Sequence, residues 1–194
     1  NGRSGGGIKV ATNNSVNISG NTIENNVAGS YADGGSSLNI DGEGGGINAT
    51  SSSAVISNNI IKGNRARHGG GVRVGGTLSN NVISGNYATE SGGGYYGHGT
   101  ISNNFFLSNS STSGDGGGLF IQQKSNMTGN IISGNQSAKE GGAFYFRSSG
   151  ESGPSEASNN TIYNNKSNSG LSVVYVEITN VVLEMENNTI VGNS

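Results

Sequence analysis

The sequence has no cysteine, a single proline, few charged residues and no long hydrophobic run. Without cysteine, neither disulfides nor thiolate metal ligands can contribute. No apolar stretch approaches the roughly 18 residues that a membrane-spanning helix needs. Charged residues make up 11% and the formal net charge is -2, so the composition favours neither a nucleic-acid partner nor an anionic membrane. Because the chain starts at Asn1 and not at Met, we expect a mature or excised segment.

Glycine is abundant, with 36 among 194 residues, and it recurs in clusters at a period of about 24 residues. The clusters begin at Gly5, Gly44, Gly69, Gly92, Gly116, Gly141 and, less regularly, Gly170. An apolar triplet follows most clusters, such as Val72-Arg73-Val74, whose outer residues are predicted to point inward and whose middle residue points outward. A short unit repeated at this period is typical of a solenoid. The pattern predicts an all-β parallel β-helix of about seven coils.

The repeat covers residues 1–194 and predicts a single β-helix domain, complete or cut from a longer repetitive protein. Two units are longer than the others. The excess falls in residues 28–43 and 147–156, which are rich in turn-forming residues. These two segments are therefore predicted to be surface loops inserted between strands.

Two asparagines, five residues apart, recur in every unit and form two columns. The first column contains Asn21, Asn59, Asn81, Asn104, Asn130, Asn160 and Asn188, and the second contains Asn26, Asn64, Asn86, Asn109, Asn135, Asn165 and Asn193. Equivalent residues on successive coils lie about 4.8 Å apart, so each side-chain amide can donate to the next one. Asparagine and glycine also tolerate the left-handed backbone of a sharp corner. The columns predict two structural hydrogen-bonded ladders, with an inward apolar column between them.

The glycine clusters and the motifs FLSN (106–109) and IENN (23–26) also carry a family resemblance. The segments GGGI, GGGV and GGAF, read with FxxN, resemble the GGA[ILV] and FxxN repeats of chlamydial polymorphic outer membrane proteins and related β-helix repeat proteins. The resemblance implies a right-handed β-helix, export to the cell exterior, and a role as an adhesin, an autotransporter passenger or a surface-layer component. This chain departs from the family by using mostly GGG and mostly Ile in place of Phe.

The outward column after the glycine clusters becomes aromatic in the second half of the chain, at Tyr96, Phe120, Tyr145 and Tyr175. Exposed aromatic side chains can stack on sugar rings or bury against a protein, so this strip is the candidate binding face. The alternative is structural, because neighbouring rings in such a column can stack on one another.

An enzyme is the alternative from another class, because polysaccharide lyases and hydrolases also use β-helix scaffolds. The outward column contains no carboxylate, and the acids cluster instead before the glycines, at Glu43, Glu90, Asp115 and Glu140. Stacked carboxylates could bind Ca²⁺, but His68 interrupts the column, and solvated turn charges are the favoured interpretation. Neither His68 nor His98 has a consistent Ser or acid partner in the sequence. We therefore predict no catalytic residue, no metal site and no cofactor.

The sequence predicts an extracellular or cell-surface solenoid with a structural or adhesive role and no enzymatic activity. Neither end carries an evident cap, so we expect either excision from a longer protein or head-to-tail stacking into a filament. The predicted partners are other copies of the chain, or glycans and proteins of a cell surface. A carbohydrate-binding module that works through the aromatic strip remains a further alternative.

Overall fold

The computed structural model describes residues 5–10, 15–31, 38–51, 53–149, 155–168 and 171–194. Gly170 and parts of both inserted segments (32–37 and 150–154) lie outside the described residues. The described chain is all-β and contains no helix, as the sequence predicts. Its strands stack in parallel, row upon row, as a β-solenoid.

Two parallel sheets form most of the wall. The first sheet has 11 strands, which are β1 (Ile8–Lys9), β2 (Val16–Ser19), β6 (Ile47–Ala49), β7 (Ala54–Ser57), β10 (Val72–Ser79), β13 (Tyr95–Ser102), β16 (Leu119–Thr128), β19 (Phe144–Ser149), β20 (Ser155–Ser158), β22 (Val174–Thr179) and β23 (Leu183–Glu186). The second sheet has seven strands, which are β3 (Thr22–Glu24), β8 (Ile60–Lys62), β11 (Val82–Ser84), β14 (Phe105–Leu107), β17 (Ile131–Ser133), β21 (Thr161–Tyr163) and β24 (Thr189–Val191).

A short third sheet closes the middle of the solenoid. Its four parallel strands are β9 (Arg65–Ala66), β12 (Tyr87–Ala88), β15 (Ser110–Ser111) and β18 (Gln136–Ser137). A separate antiparallel pair, β4 (Ser30–Tyr31) and β5 (Leu38–Asn39), lies in the first inserted segment. It is the only described exception to the parallel pairing.

The number of complete turns is about five, fewer than the seven coils predicted from the repeat. Seven rows do stack in the second sheet. A complete turn needs strands in all three sheets, however. Within the described residues, the third sheet continues beyond its four strands only as single-residue pairs, Val27 with Arg65 and Gln136 with Lys166. The first and last rows therefore contribute strands to the sheets but do not form complete turns within the described residues.

The interior of the solenoid is filled by apolar side chains that stack in columns along its axis. In the middle rows the residues predicted to point inward are buried, among them Ile56, Ile61, Leu78 and Ile83, each with no exposed surface. Ile190 in the last row, also predicted to point inward, is 50% exposed because no further row covers it. In-register parallel pairing stacks these side chains from row to row, for example Ile61 on Ile83. Each such burial contributes about 1.5 to 3 kcal/mol, so a chain with only 30% hydrophobic residues still forms a continuous core.

The ladder asparagines line the corners beside this core and are buried in the middle rows. In the first ladder, Asn59 donates its Nδ2 to the Oδ1 of Asn81 at 3.0 Å, and its backbone N–H donates to the same oxygen at 2.9 Å. Asn64 and Asn86 repeat this pair of contacts in the second ladder, at 3.1 and 2.9 Å. The amide also donates to carbonyls of the preceding row, as from Asn64 to Ile23 O at 2.9 Å. The buried polar groups are thus satisfied within the stack.

The left-handed corners do not fall on the ladder asparagines, as the sequence interpretation implied. They fall on the residue immediately before each one, as at Asn80 (φ 57°) and Gly85 (φ 59°). A residue in this conformation turns the chain sharply, so the next side chain points inward. The ladder position and the corner position are therefore two neighbouring sites, and both favour asparagine for different reasons.

Candidate functional site: the outward aromatic column

Four aromatic side chains stack into a column on the outside of the first sheet. The strands β13, β16, β19 and β22 bring them into register, since Tyr96 pairs with Phe120, Phe120 with Tyr145, and Tyr145 with Tyr175. The ring centroids are separated by 5.1, 4.9 and 5.0 Å, with interplanar angles of 14°, 4° and 27°. This spacing follows the distance between rows, so the column is a direct product of the repeat.

The stacked rings cover one another's faces, so a ligand could contact mainly the ring edges. Phe120 is 5% exposed and Tyr145 is 8% exposed, although neither belongs to the apolar core. Sugar stacking needs an open ring face, whereas this column offers ring edges and phenolic hydroxyls in its middle rows. The stacked geometry supports the structural interpretation of the column, and its role as a binding strip stays a prediction.

Polar and charged groups flank the column along its length. Tyr145 donates its hydroxyl hydrogen to the carboxylate of Glu177, and Gln122 donates to the hydroxyl of Tyr96 at 3.0 Å. The guanidinium of Arg147 lies 5.5 Å from the centre of the Phe120 ring, within cation–π range. Burial raises the pKa of the Tyr145 hydroxyl, and its hydrogen bond to Glu177 raises it further, so this hydroxyl stays protonated near neutral pH.

A second cluster of charged side chains lies next to Tyr96, the first ring of the aromatic column. The ring of His68 packs against Tyr96 with a centroid distance of 4.9 Å, and its Nε2 atom lies 3.1 Å from a carboxylate oxygen of Glu90. Arg73 pairs with Glu43 and extends over Tyr96, 5.8 Å from the ring centre. The sequence shows no consistent Ser or acid partner for His68, and the contact with Glu90 becomes visible only in the structure because it joins residues of different repeats.

His68 is electrostatically unusual. Its Nδ1 atom is buried and has no hydrogen-bond partner. Burial lowers the pKa of the imidazole, Glu90 opposes this shift, and Arg67 adds to it. The neutral form of His68 is therefore favoured in the folded chain.

The acids before the glycine clusters do not all stack in one column. The backbone carbonyls that accept from the first glycine of the preceding row belong to Glu43, His68, Ser91, Asp115 and Glu140. Glu90 lies one residue before this column, and His68 separates Glu43 from the other two acids. Asp115 accepts a hydrogen bond from the backbone N–H of Glu140 at 3.1 Å, and burial raises the pKa of its carboxyl. Among the residues that the structure describes, no group of three or more acids and histidines is placed to hold a metal ion.

Sequence reasoning did not single out three outward residues that each lie two positions after a ring of the aromatic column. Gln122, Arg147 and Glu177 point outward beside the rings because side chains alternate along a strand. The period-two pattern that placed the aromatic column could also have placed them. Their identity varies from row to row, however, so no repeat marked them as a set.

Comparison of the chain with protein-family models, curated proteins and solved structures finds no match. Over the described residues, no helix has the length and apolar character needed to span a bilayer. Any functional interpretation therefore depends on the geometry of the solenoid and on the sequence motifs.

Proposed function

We propose that the chain is a non-enzymatic, adhesive and structural solenoid at the exterior of a cell. The observation that carries this proposal is the continuity of the two asparagine ladders, which join all seven rows from Asn21 and Asn26 to Asn188 and Asn193. The repeated polar side chains are used to hold successive rows together. Such a stack makes a stiff support whose outward columns vary and can contact a partner.

The motif pattern supports the finer features of this proposal. The GGG[IV] and FxxN segments support relationship to exported right-handed β-helix repeat proteins of the chlamydial type. Right-handed crossovers between parallel strands are the strongly favoured geometry for L-amino acids. On this proposal the partners are glycans or proteins of a cell surface.

Other copies of the chain are the second proposed partner, because the ladders have one direction. Asn21 donates to Asn59, and Asn160 donates to Asn188. In a head-to-tail stack, Asn188 of one copy would donate to Asn21 of the next and the ladder would continue. Apolar side chains exposed on the row of Asn188 support this contact, with Ile190 at 50% and Val191 at 58%.

Retention of chain-coated beads on intact cells tests the adhesive function. We expect saturable retention that free chain competes away. Beads coated with heat-unfolded chain are the matched control, since they present the same composition without the stacked columns. Retention equal to that of uncoated beads would contradict the adhesive role.

A further inference from the structure

A small cleft opens on the outside of the first sheet, where the aromatic column begins. Its volume is about 190 Å³, smaller than the pockets of about 300 Å³ or more that hold drug-sized molecules. The side chains that line it include Thr50, Arg73, Tyr96, His98, Gln122 and Gln123. These residues come from four successive rows, so the cleft depends on the stacking of the repeats.

One wall of the cleft is an irregularity in the otherwise regular sheet. Gly97 pairs with Ile121 and Gly99 pairs with Ser125, so β16 carries two more residues than β13 across this interval. Within this extra backbone Gln123 is exposed and lies in the left-handed region, with φ at 61°. Bulges and backbone strain of this kind concentrate at functional sites, because they redirect side chains that a flat sheet would align.

The floor of the cleft depends on a missing side chain. At Gly75 an added Cβ would lie 2.8 Å from Cε1 of His98 and 3.0 Å from the carbonyl oxygen of Thr50. Glycine therefore lets the imidazole of His98 lie close against the backbone. Beneath this wall, the buried hydroxyl of Tyr95 donates to the carbonyl of His98 at 3.0 Å, which fixes the backbone that carries the ring.

The lining combines one cation with several neutral hydrogen-bonding groups. None of the described residues that line the cleft is a carboxylic acid. Arg73 contacts Glu43 through Nη1, but a guanidinium carries several N–H donors and can bind a second anion. Thr50, Gln122 and Gln123 add hydroxyl and amide groups of the kind that bind sugar hydroxyls.

We propose that this cleft binds one acidic sugar unit of a surface polysaccharide, with the sugar carboxylate at Arg73 and its hydroxyls at the amides of Gln122 and Gln123. A single cation among neutral polar groups matches a uronic acid, which has one carboxylate and a ring of hydroxyls. The small volume fits a single unit, and the open outward side leaves room for the rest of the polymer. This proposal rests on the adhesive function and names its ligand class.

Binding of a six-residue oligouronate to the purified chain, measured by calorimetry, tests the proposal. We expect Arg73→Gln to weaken binding about tenfold or more, because it removes a charged hydrogen-bond donor. Arg65→Gln is the matched control, since it removes the same charge from an exposed position on the third sheet, outside the cleft, and we expect a change within twofold. The methyl-esterified oligouronate, which keeps the shape but not the charge, should bind as weakly as the free acid binds to Arg73→Gln.

A second variant separates binding from folding. Gln123→Gly removes the amide and relieves the left-handed strain, so the chain should fold at least as well and still bind more weakly. Equal binding by wild type, Arg73→Gln and Gln123→Gly would overturn the cleft while leaving an adhesive function at another surface. Equal loss in Arg73→Gln and Arg65→Gln would overturn it in favour of general electrostatic attraction. If the wild-type chain binds neither the oligouronate nor intact cells, the cleft and the adhesive function both fail.

Discussion

Asn81 donates both its backbone N–H and its side-chain amide to the same Oδ1 atom of Asn104, at 2.9 and 3.0 Å. Asn104 in turn donates to Leu78 O in the preceding row and to Asn130 in the next row, at 2.9 and 3.1 Å. A single amide thus connects three rows. This arrangement explains why the repeat keeps asparagine at a position where neither an aliphatic side chain nor a carboxylate could supply both the donors and the acceptor.

Replacing Asn104 with Ala should destabilise the chain by at least about 2 kcal/mol. The substitution removes the acceptor of the buried Asn81 backbone N–H and the amide that donates to the Leu78 carbonyl. The Asn81 side-chain amide loses one of its acceptors and keeps two backbone carbonyls. Urea unfolding followed by circular dichroism measures the change. The matched control is Asn126→Ala, at an exposed position of β16, which should shift the free energy of unfolding by less than about 0.5 kcal/mol. Similar losses in both variants would contradict a special role for the ladder.

The aromatic column should contribute measurably to stability. Phe120 stacks on Tyr96 and Tyr145, and such pairs are each worth about 0.5 to 1.5 kcal/mol beyond the area they bury. Phe120→Ala should therefore cost about 2 to 4 kcal/mol once the lost burial is included. Phe105→Ala is the control, because Phe105 is 42% exposed and should cost clearly less. Equal free energies of unfolding for the two variants would show that the stacking contributes nothing.

The stability of the chain should fall in mildly acidic solution because of His68. Its folded-state pKa lies below the ordinary value of about 6.5, so the unfolded chain binds the proton more readily. The contribution of neutral His68 is therefore present above about pH 6.5 and is lost as the pH falls through the folded-state pKa. Thermal melting between neutral and acidic pH measures this loss.

The variant His68→Asn should flatten this part of the pH profile. His98→Asn serves as the control for removing an imidazole from the same face. An unchanged slope in His68→Asn would show that other groups cause the acid sensitivity.

End-to-end association should lengthen the particles as the concentration rises. Electron microscopy of the chain over a concentration series should show rods that grow by whole copies along one axis. Ile190→Asp should suppress growth, since it introduces a charge into the apolar end of the stack. Glu184→Gln changes an exposed charge in the same row, on the first sheet, and should leave growth intact. Particles of one length at every concentration would contradict self-stacking.

Much of the fold follows from periodicity in the sequence. In every row except the last, the apolar residues that flank the ladder position, such as Ile18 and Ile23, are buried as the pattern predicts. The parallel register also follows, since it stacks equivalent residues such as Ile23 and Ile61. Both features depend on a column of like residues, which the repeat makes visible.

Features that depend on contacts between unlike residues were not predictable in this way. The pairing of His68 with Glu90 joins two different repeats at non-equivalent positions. The bulge at Gln123 lies in the row of β16 and has no counterpart in the neighbouring row of β13. The small exposure of Phe120 arises because its neighbours cover both ring faces, a consequence of side-chain orientation that an inward and outward pattern does not specify.

The most direct test of the account asks whether the chain acts by contact or by catalysis. The purified chain is incubated with acidic polysaccharides, and the length of the polysaccharide is followed over time by size-exclusion chromatography with light scattering. We predict that the polymer length stays constant while the chain elutes in complex with the polymer. Progressive shortening of the polymer, at a rate proportional to the chain concentration and lost in Asp115→Asn, would contradict a non-enzymatic function.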